Sequence, residues 1–81
     1  MTDPEIRAAI GQVLHRIAPE IDLDAIAADA NLQQALDIDS FDFLNLLVGL
    51  HEKLGVEIAE SDYGKLRTLA DLVRYIAART T

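Results

Sequence analysis

Ser40, the histidines His15 and His51, and the closely spaced aspartates near residues 22–24 and 37–42 are the side chains whose types and spacing could do chemistry. A nucleophilic serine needs a base within hydrogen-bond reach. Ser40 and His51 stand eleven residues apart, which along one helix is roughly 16 Å at 1.5 Å per residue. His15 lies in a different segment, and no G-x-S-x-G elbow surrounds the serine. Hydrolytic serine chemistry is therefore not indicated, and thiolate chemistry is excluded because the chain has no cysteine. Asp22 with Asp24, and Asp37 with Asp39, form D-x-D pairs. Neither pair continues into the third ligand, central glycine and closing glutamate of a calcium loop, so no metal site is expected. Two roles stay open for Ser40. It can cap a helix, or it can carry a covalent phosphate where backbone N–H groups and the helix dipole stabilise negative charge. Asp37, Asp39 and Asp42 oppose that charge, so a modifying enzyme would have to bring a metal ion or basic residues.

These residues need helices to place them. Thr2 and Glu5 stand at capping-box spacing with Pro4 in the first turn, and Ile6, Ile10, Val13, Leu14 and Ile17 follow at helical intervals. The first predicted helix ends near Pro19. Residues 19–39 show no sustained period, only apolar anchors at Ile21, Leu23, Ile26, Leu32 and Leu36. A linker this long is expected to be ordered by those anchors or to hold a short helical turn. The second predicted helix begins at Asp39 or Ser40, both good capping types, and runs to Leu54, with Gly55 as its C-cap. Residues 56–66 are expected to hold one or two helical turns, with Ser61 as the candidate cap. Thr68 and Asp71 open a last helix that carries Leu69, Leu72, Val73 and Ile76 on one face. The reading is an all-α, four-helix bundle: three main helices and one short helix, with a long ordered loop between the first two, in a single domain over residues 1–81.

The second predicted helix has two apolar stripes. At about 100° per residue, Phe43, Leu46, Leu47, Leu50 and Leu54 share one sector, wide enough to face a core. Phe41, Leu44 and Val48 cluster roughly opposite, flanked by Asn45 and Glu52. Either the helix is buried on most sides, or this second stripe is an exposed surface for a partner.

Composition narrows the partner. Fourteen acidic against seven basic residues give a net charge of -7, and between Ala18 and Glu52 there are eight carboxylates and no Lys or Arg. That argues against nucleic acid and anionic membranes, which bind clustered basic residues, and in favour of basic protein surfaces; a solvated acidic face kept for solubility is the simpler reading. No signal-peptide pattern opens the chain and no apolar run is long enough to span a membrane. A cytoplasmic monomer is expected.

The run Leu36-Asp37-Ile38-Asp39-Ser40-Phe41-Asp42 resembles the phosphopantetheine attachment motif of acyl carrier proteins, usually written D-S-L. The likeness extends to Gly55-Val56-Glu57-Ile58 and to the pattern Thr68-Leu69-x-Asp71-Leu72-Val73-x-Tyr75-Ile76. The resemblance implies covalent 4'-phosphopantetheine, taken from coenzyme A, on Ser40, and transport of acyl groups as thioesters with no catalysis by the chain itself. It implies a phosphopantetheinyl transferase as one partner, with Asp39 and Asp42 as its contacts. Acyl-loading, condensing and acyl-transfer enzymes of fatty-acid, polyketide or related lipid synthesis would dock basic patches on Phe41, Leu44, Asn45, Val48 and Glu52. A growing chain could be held between the helices. Phe41 replaces the usual leucine, and Asn45, His51 and Lys53 stand where acids are common in fatty-acid carriers, which points to a specialised pathway. Peptidyl carriers tend to have Gly-Gly where this chain has Asp37-Ile38. The rival reading is an unmodified acidic helical adaptor for a basic or amphipathic partner.

Overall fold

The computed structural model describes residues 1–80. Helix α1 spans Asp3–Ile17 and opens on a capping box. The Thr2 N–H donates to the Glu5 carboxylate at 2.9 Å, and the Glu5 N–H donates to Thr2 Oγ1 at 3.3 Å. Hydrogen bonding from Thr2 to the Glu5 carboxyl, first from its backbone N–H and then from its side chain, holds that carboxyl below its ordinary pKa. Ile6, Ala9, Ile10, Val13 and Leu14 form the buried face.

The linker after α1 is ordered, as its anchors imply, and it contains helix. Asp22 caps a 3-10 turn at Leu23–Ala25, and Asn31 caps the five-residue helix α2, Leu32–Leu36, by accepting from the Gln34 N–H. Leu23, Leu32 and Leu36 are buried, with Ile21 and Ile26 half-buried beside them. Two backbone bonds fasten the linker to the start of the last helix: Leu32 N–H to the Arg67 carbonyl at 2.8 Å and Ala70 N–H to the Ala28 carbonyl at 2.9 Å. These long-range bonds explain why a stretch without its own period stays in place.

Asp37 ends α2 in the left-handed region, with φ 54° and ψ 44°, a conformation that aspartate tolerates better than most residues. The turn aims the chain into α3, Ser40–Leu54, which ends at Gly55 with φ 68°. Gly49 lies midway along α3, where α1 packs against it. A Cβ added there would stand 2.5 Å from Val13 Cγ1, so the close approach of the two helices requires glycine.

Residues 60–65 correct one detail of the sequence reading. The short element is a 3-10 helix, Glu60–Lys65; Ala59 stands at its cap position with no side-chain bond, and Ser61 caps nothing. A polar latch holds it, together with the half-buried Tyr63 ring packed against the core. Tyr75 Oη donates to Asp62 Oδ2 at 2.7 Å, the Arg79 guanidinium lies 3.6 Å from the same oxygen and 3.5 Å above the Tyr75 ring, and Lys65 reaches the other oxygen at 3.3 Å. The Tyr75 hydroxyl bond, followed by Lys65, lowers the Asp62 pKa; burial, and then that same bond, raises the pKa of Tyr75.

Helix α4, Leu69–Thr80, opens with reciprocal Thr68 and Asp71 bonds and buries Leu69, Leu72, Val73 and Ile76. Helix α1 packs on both α3 and α4, so the bundle closes around it. Among the described residues no buried polar side-chain atom lacks a partner, and no helix is long and apolar enough to cross a membrane.

Candidate functional site

Asp39 is the N-cap of α3: its carboxylate accepts from the Asp42 N–H at 2.8 Å, and its carbonyl accepts from the Phe43 N–H at 3.0 Å. Ser40 is thus the first helical residue rather than the cap, which frees its hydroxyl from capping. The side chain is exposed, and Oγ accepts one bond, from Gln33 Nε2 of α2 at 3.3 Å. First-turn N–H groups without an intrahelical partner, and the dipole behind them, favour an anion at this end of α3. Asp37 and Asp39 are exposed, and Asp42 is partly so.

Both candidate bases are elsewhere. His51 lies three turns down α3, with Nδ1 2.7 Å from the Val56 carbonyl oxygen, and His15 is exposed on α1. Among the described residues no three His, Cys, Asp or Glu side chains gather in a metal-binding group.

The two stripes of α3 separate as their angles imply. Phe43, Leu46, Leu47 and Leu50 are buried and Leu54 half-buried. Phe41 keeps 71% of its surface exposed, Leu44 38% and Val48 44%, which rules out a helix covered on every side. Asn45 and Glu52 are exposed beside them. Phe41, Leu44, Asn45, Val48 and Glu52 therefore share a surface that starts one residue beyond Ser40.

Two grooves lie between this part of the bundle and the 3-10 helix. The larger, about 370 Å³, is lined by Asn31, Gln33, Phe43, Tyr63, Leu66 and Arg67. The smaller, about 150 Å³, is lined by Leu47, Val48, His51, Ile58 and Tyr63. Gln33 and Tyr63 were not identified from the sequence. Neither sits in a motif, and both acquire their position from contacts between separate elements.

Residues 4–76 match the family described as the phosphopantetheine attachment site. The chain belongs to the acyl carrier protein family. It is 40% identical over 76 residues to an acyl carrier protein of Lactobacillus johnsonii, covering 94% of each chain, and 35% identical over 75 residues to one of Campylobacter jejuni subsp. doylei, covering 93% of this chain and 91% of the other. The fold also matches the solution structure of a chain assigned as an acyl carrier protein from Anaplasma phagocytophilum, with a TM-score of 0.82, 28% identity, and coverage of 100% of this chain and 94% of that one. Acyl carrier proteins hold covalent 4'-phosphopantetheine and are carriers without catalytic activity of their own. The site fits that group: an exposed hydroxyl stands at a helix N-terminus, and its partner Gln33 lines a groove with Asn31, Phe43, Leu66 and Arg67.

Proposed function

We propose that Ser40 carries the 4'-phosphopantetheine arm, and that the chain presents acyl groups to enzymes that dock on the surface starting at Phe41. The observation that carries this reading is the exposed Ser40 hydroxyl at the first position of α3, relieved of capping by Asp39. In the modification, Oγ bonds to the phosphorus that bears the pantetheine half of coenzyme A, and the pyrophosphate bond breaks to release the adenosine half as its bisphosphate. The serine proton passes to a base from the transferase, because His51 is about three helical turns away. Once attached, the arm supplies a terminal thiol on which acyl groups are held as thioesters.

Asp39 and Asp42 are the transferase contacts in this reading, and Leu44, Asn45, Val48 and Glu52 join Phe41 in docking enzymes with basic patches. The chain works as a single-domain cytoplasmic monomer in fatty-acid, polyketide or related lipid synthesis. Asn45, His51 and Lys53 make the docking helix less acidic, which suits a specialised set of enzymes.

Coenzyme A, magnesium and a phosphopantetheinyl transferase of broad specificity should add the mass of one arm to the wild type and none to Ser40→Ala. Intact-protein mass spectrometry with peptide mapping reads the result. A wild type left unmodified by several transferases, or an arm mapped to another residue, overturns the assignment.

A further inference from the structure

The bond that Ser40 Oγ accepts from Gln33 Nε2, at 3.3 Å, reaches across from α2 rather than along α3. Backbone bonds hold that glutamine from both sides. The Leu32 N–H donates to the Arg67 carbonyl at 2.8 Å, and the Gln33 carbonyl accepts from the Ile38 N–H at 3.1 Å across the left-handed turn at Asp37. Gln33 is half-buried, so its side chain has few directions open to it. An amide carries two N–H donors, and among the described residues Ser40 Oγ is the one side-chain atom that the Gln33 amide bonds.

A phosphodiester on Ser40 would add negative charge where Asp37, Asp39 and Asp42 already stand within three residues. The end of α3 has few donors left to meet it. The Asp42 N–H is taken by the Asp39 carboxylate at 2.8 Å and the Phe43 N–H by the Asp39 carbonyl at 3.0 Å, which leaves the Ser40 and Phe41 N–H groups of the first turn. Gln33 is a neutral donor already in contact with the atom to be modified.

We propose that Gln33 binds the phosphate of the arm: once Ser40 is modified, its amide leaves Oγ for a non-bridging phosphate oxygen. The inference rests on Ser40 being the attachment site. Esterification makes Oγ a poorer acceptor and puts ionised oxygens on the phosphorus beside it, within reach of an amide that already touches Oγ. An N–H bond to an ionised oxygen is shorter and stronger than one to a neutral oxygen. The exchange ties α2 to the root of the arm and tilts that root toward the Phe43 side of α3, since Gln33 and Phe43 line one groove. Phe41, Leu44 and Val48 lie on the opposite stripe and stay uncovered for docking enzymes.

The test follows the amide itself. Isotope-labelled wild type is converted from the apo to the holo form with a transferase, coenzyme A and magnesium, and intact mass confirms the arm. In nuclear magnetic resonance spectra the Gln33 side-chain protons should move downfield on conversion and exchange more slowly with water, while those of Gln12 and Gln34 move much less. In parallel, urea unfolding is measured on apo and holo forms of wild type, Gln33→Leu and Gln33→Glu. The change in the folding equilibrium on modification should be about fivefold less favourable in Gln33→Leu than in wild type, the difference made by losing a bond to a charged group. It should be less favourable again in Gln33→Glu, which brings a fourth carboxylate to the phosphate. Both results are required, and the first needs no variant, so it decides even where a substitution unfolds the chain. Gln33 signals that stay put or move upfield, or an equal response to modification in wild type and Gln33→Leu, overturn the role of Gln33 and leave the attachment site standing. No gain of mass on wild type overturns the attachment reading and this inference with it.

Discussion

Leu44 and Leu46 have the same side chain, two residues apart on α3, yet one is 38% exposed and the other fully buried. Truncating a buried leucine removes transfer free energy and leaves a cavity, whereas an exposed one loses little on either count. Leu46→Ala and Leu50→Ala should each cost about 2 to 5 kcal/mol. Leu44→Ala and Val48→Ala should fall within roughly 0.5 kcal/mol of wild type while weakening binding to a condensing or acyl-transfer enzyme that docks on this stripe. Urea melts with a parallel binding titration separate the two pairs, and equal stability losses at all four sites would contradict the exposed stripe. This division was legible in the sequence because it depends only on the helical period. The place of Ser40 at the head of α3 was legible too, since good capping types at 39 and 40 are a local signal. Gln33 was not: its bond to Ser40 depends on where α2 lands, and that is set by backbone bonds to residues 67 and 70.

Helix boundaries were readable where a capping side chain is followed by a sustained apolar period, as at Thr2, Asp39 and Thr68; Asn31 caps α2 in the same way, but five residues show no period. A short helix within residues 56–66 was expected, but its cap and bounds escaped that reading because its support comes from Tyr75 and Arg79, 13 and 17 residues beyond Asp62. Gly49 carries a signal that composition alone leaves unexplained: glycine inside a helix costs about 1 kcal/mol relative to alanine and calls for a packing reason. The reason is Val13, which an added Cβ would meet at 2.5 Å. Gly49→Ala should therefore destabilise the protein, because an overpacking cost of about 1 to 3 kcal/mol outweighs the propensity gain. In a Val13→Ala background the same substitution should become neutral or stabilising. Chemical unfolding of the two single variants and the double variant tests the pair, and a stabilising Gly49→Ala in the wild-type background would show that α1 and α3 do not approach so closely.

Across the whole molecule two electrostatic effects oppose each other as the solution is acidified. The net charge of -7 at neutral pH repels itself within a small bundle, and that repulsion vanishes as pH approaches the isoelectric point near 4.5. Glu5, Asp62 and Asp71 act in the other direction. Hydrogen bonds from Thr2, Tyr75 and Thr68, in that order of residue, are the main causes that lower their folded-state pKa values, with Lys65 helping at Asp62 and Arg74 at Asp71. A lowered folded value means that the unfolded chain binds more protons in acid. The stability from these groups is complete above their unfolded pKa values and is lost as pH falls through the folded ones. Melting temperature should therefore rise from pH 7 toward about 5 as repulsion fades, then drop below about 4 as the capped carboxylates take up protons. Moderate salt at pH 7 should reproduce the rise by screening the exposed charges. Asp62→Asn and Asp71→Asn should lower stability at neutral pH and flatten the fall in acid, because each removes a group whose protonation drives it. Thermal melts by circular dichroism between pH 7 and 3 distinguish these effects: a curve that falls steadily from neutral pH, or an acid limb unchanged in both variants, would mean that other groups set the pH response.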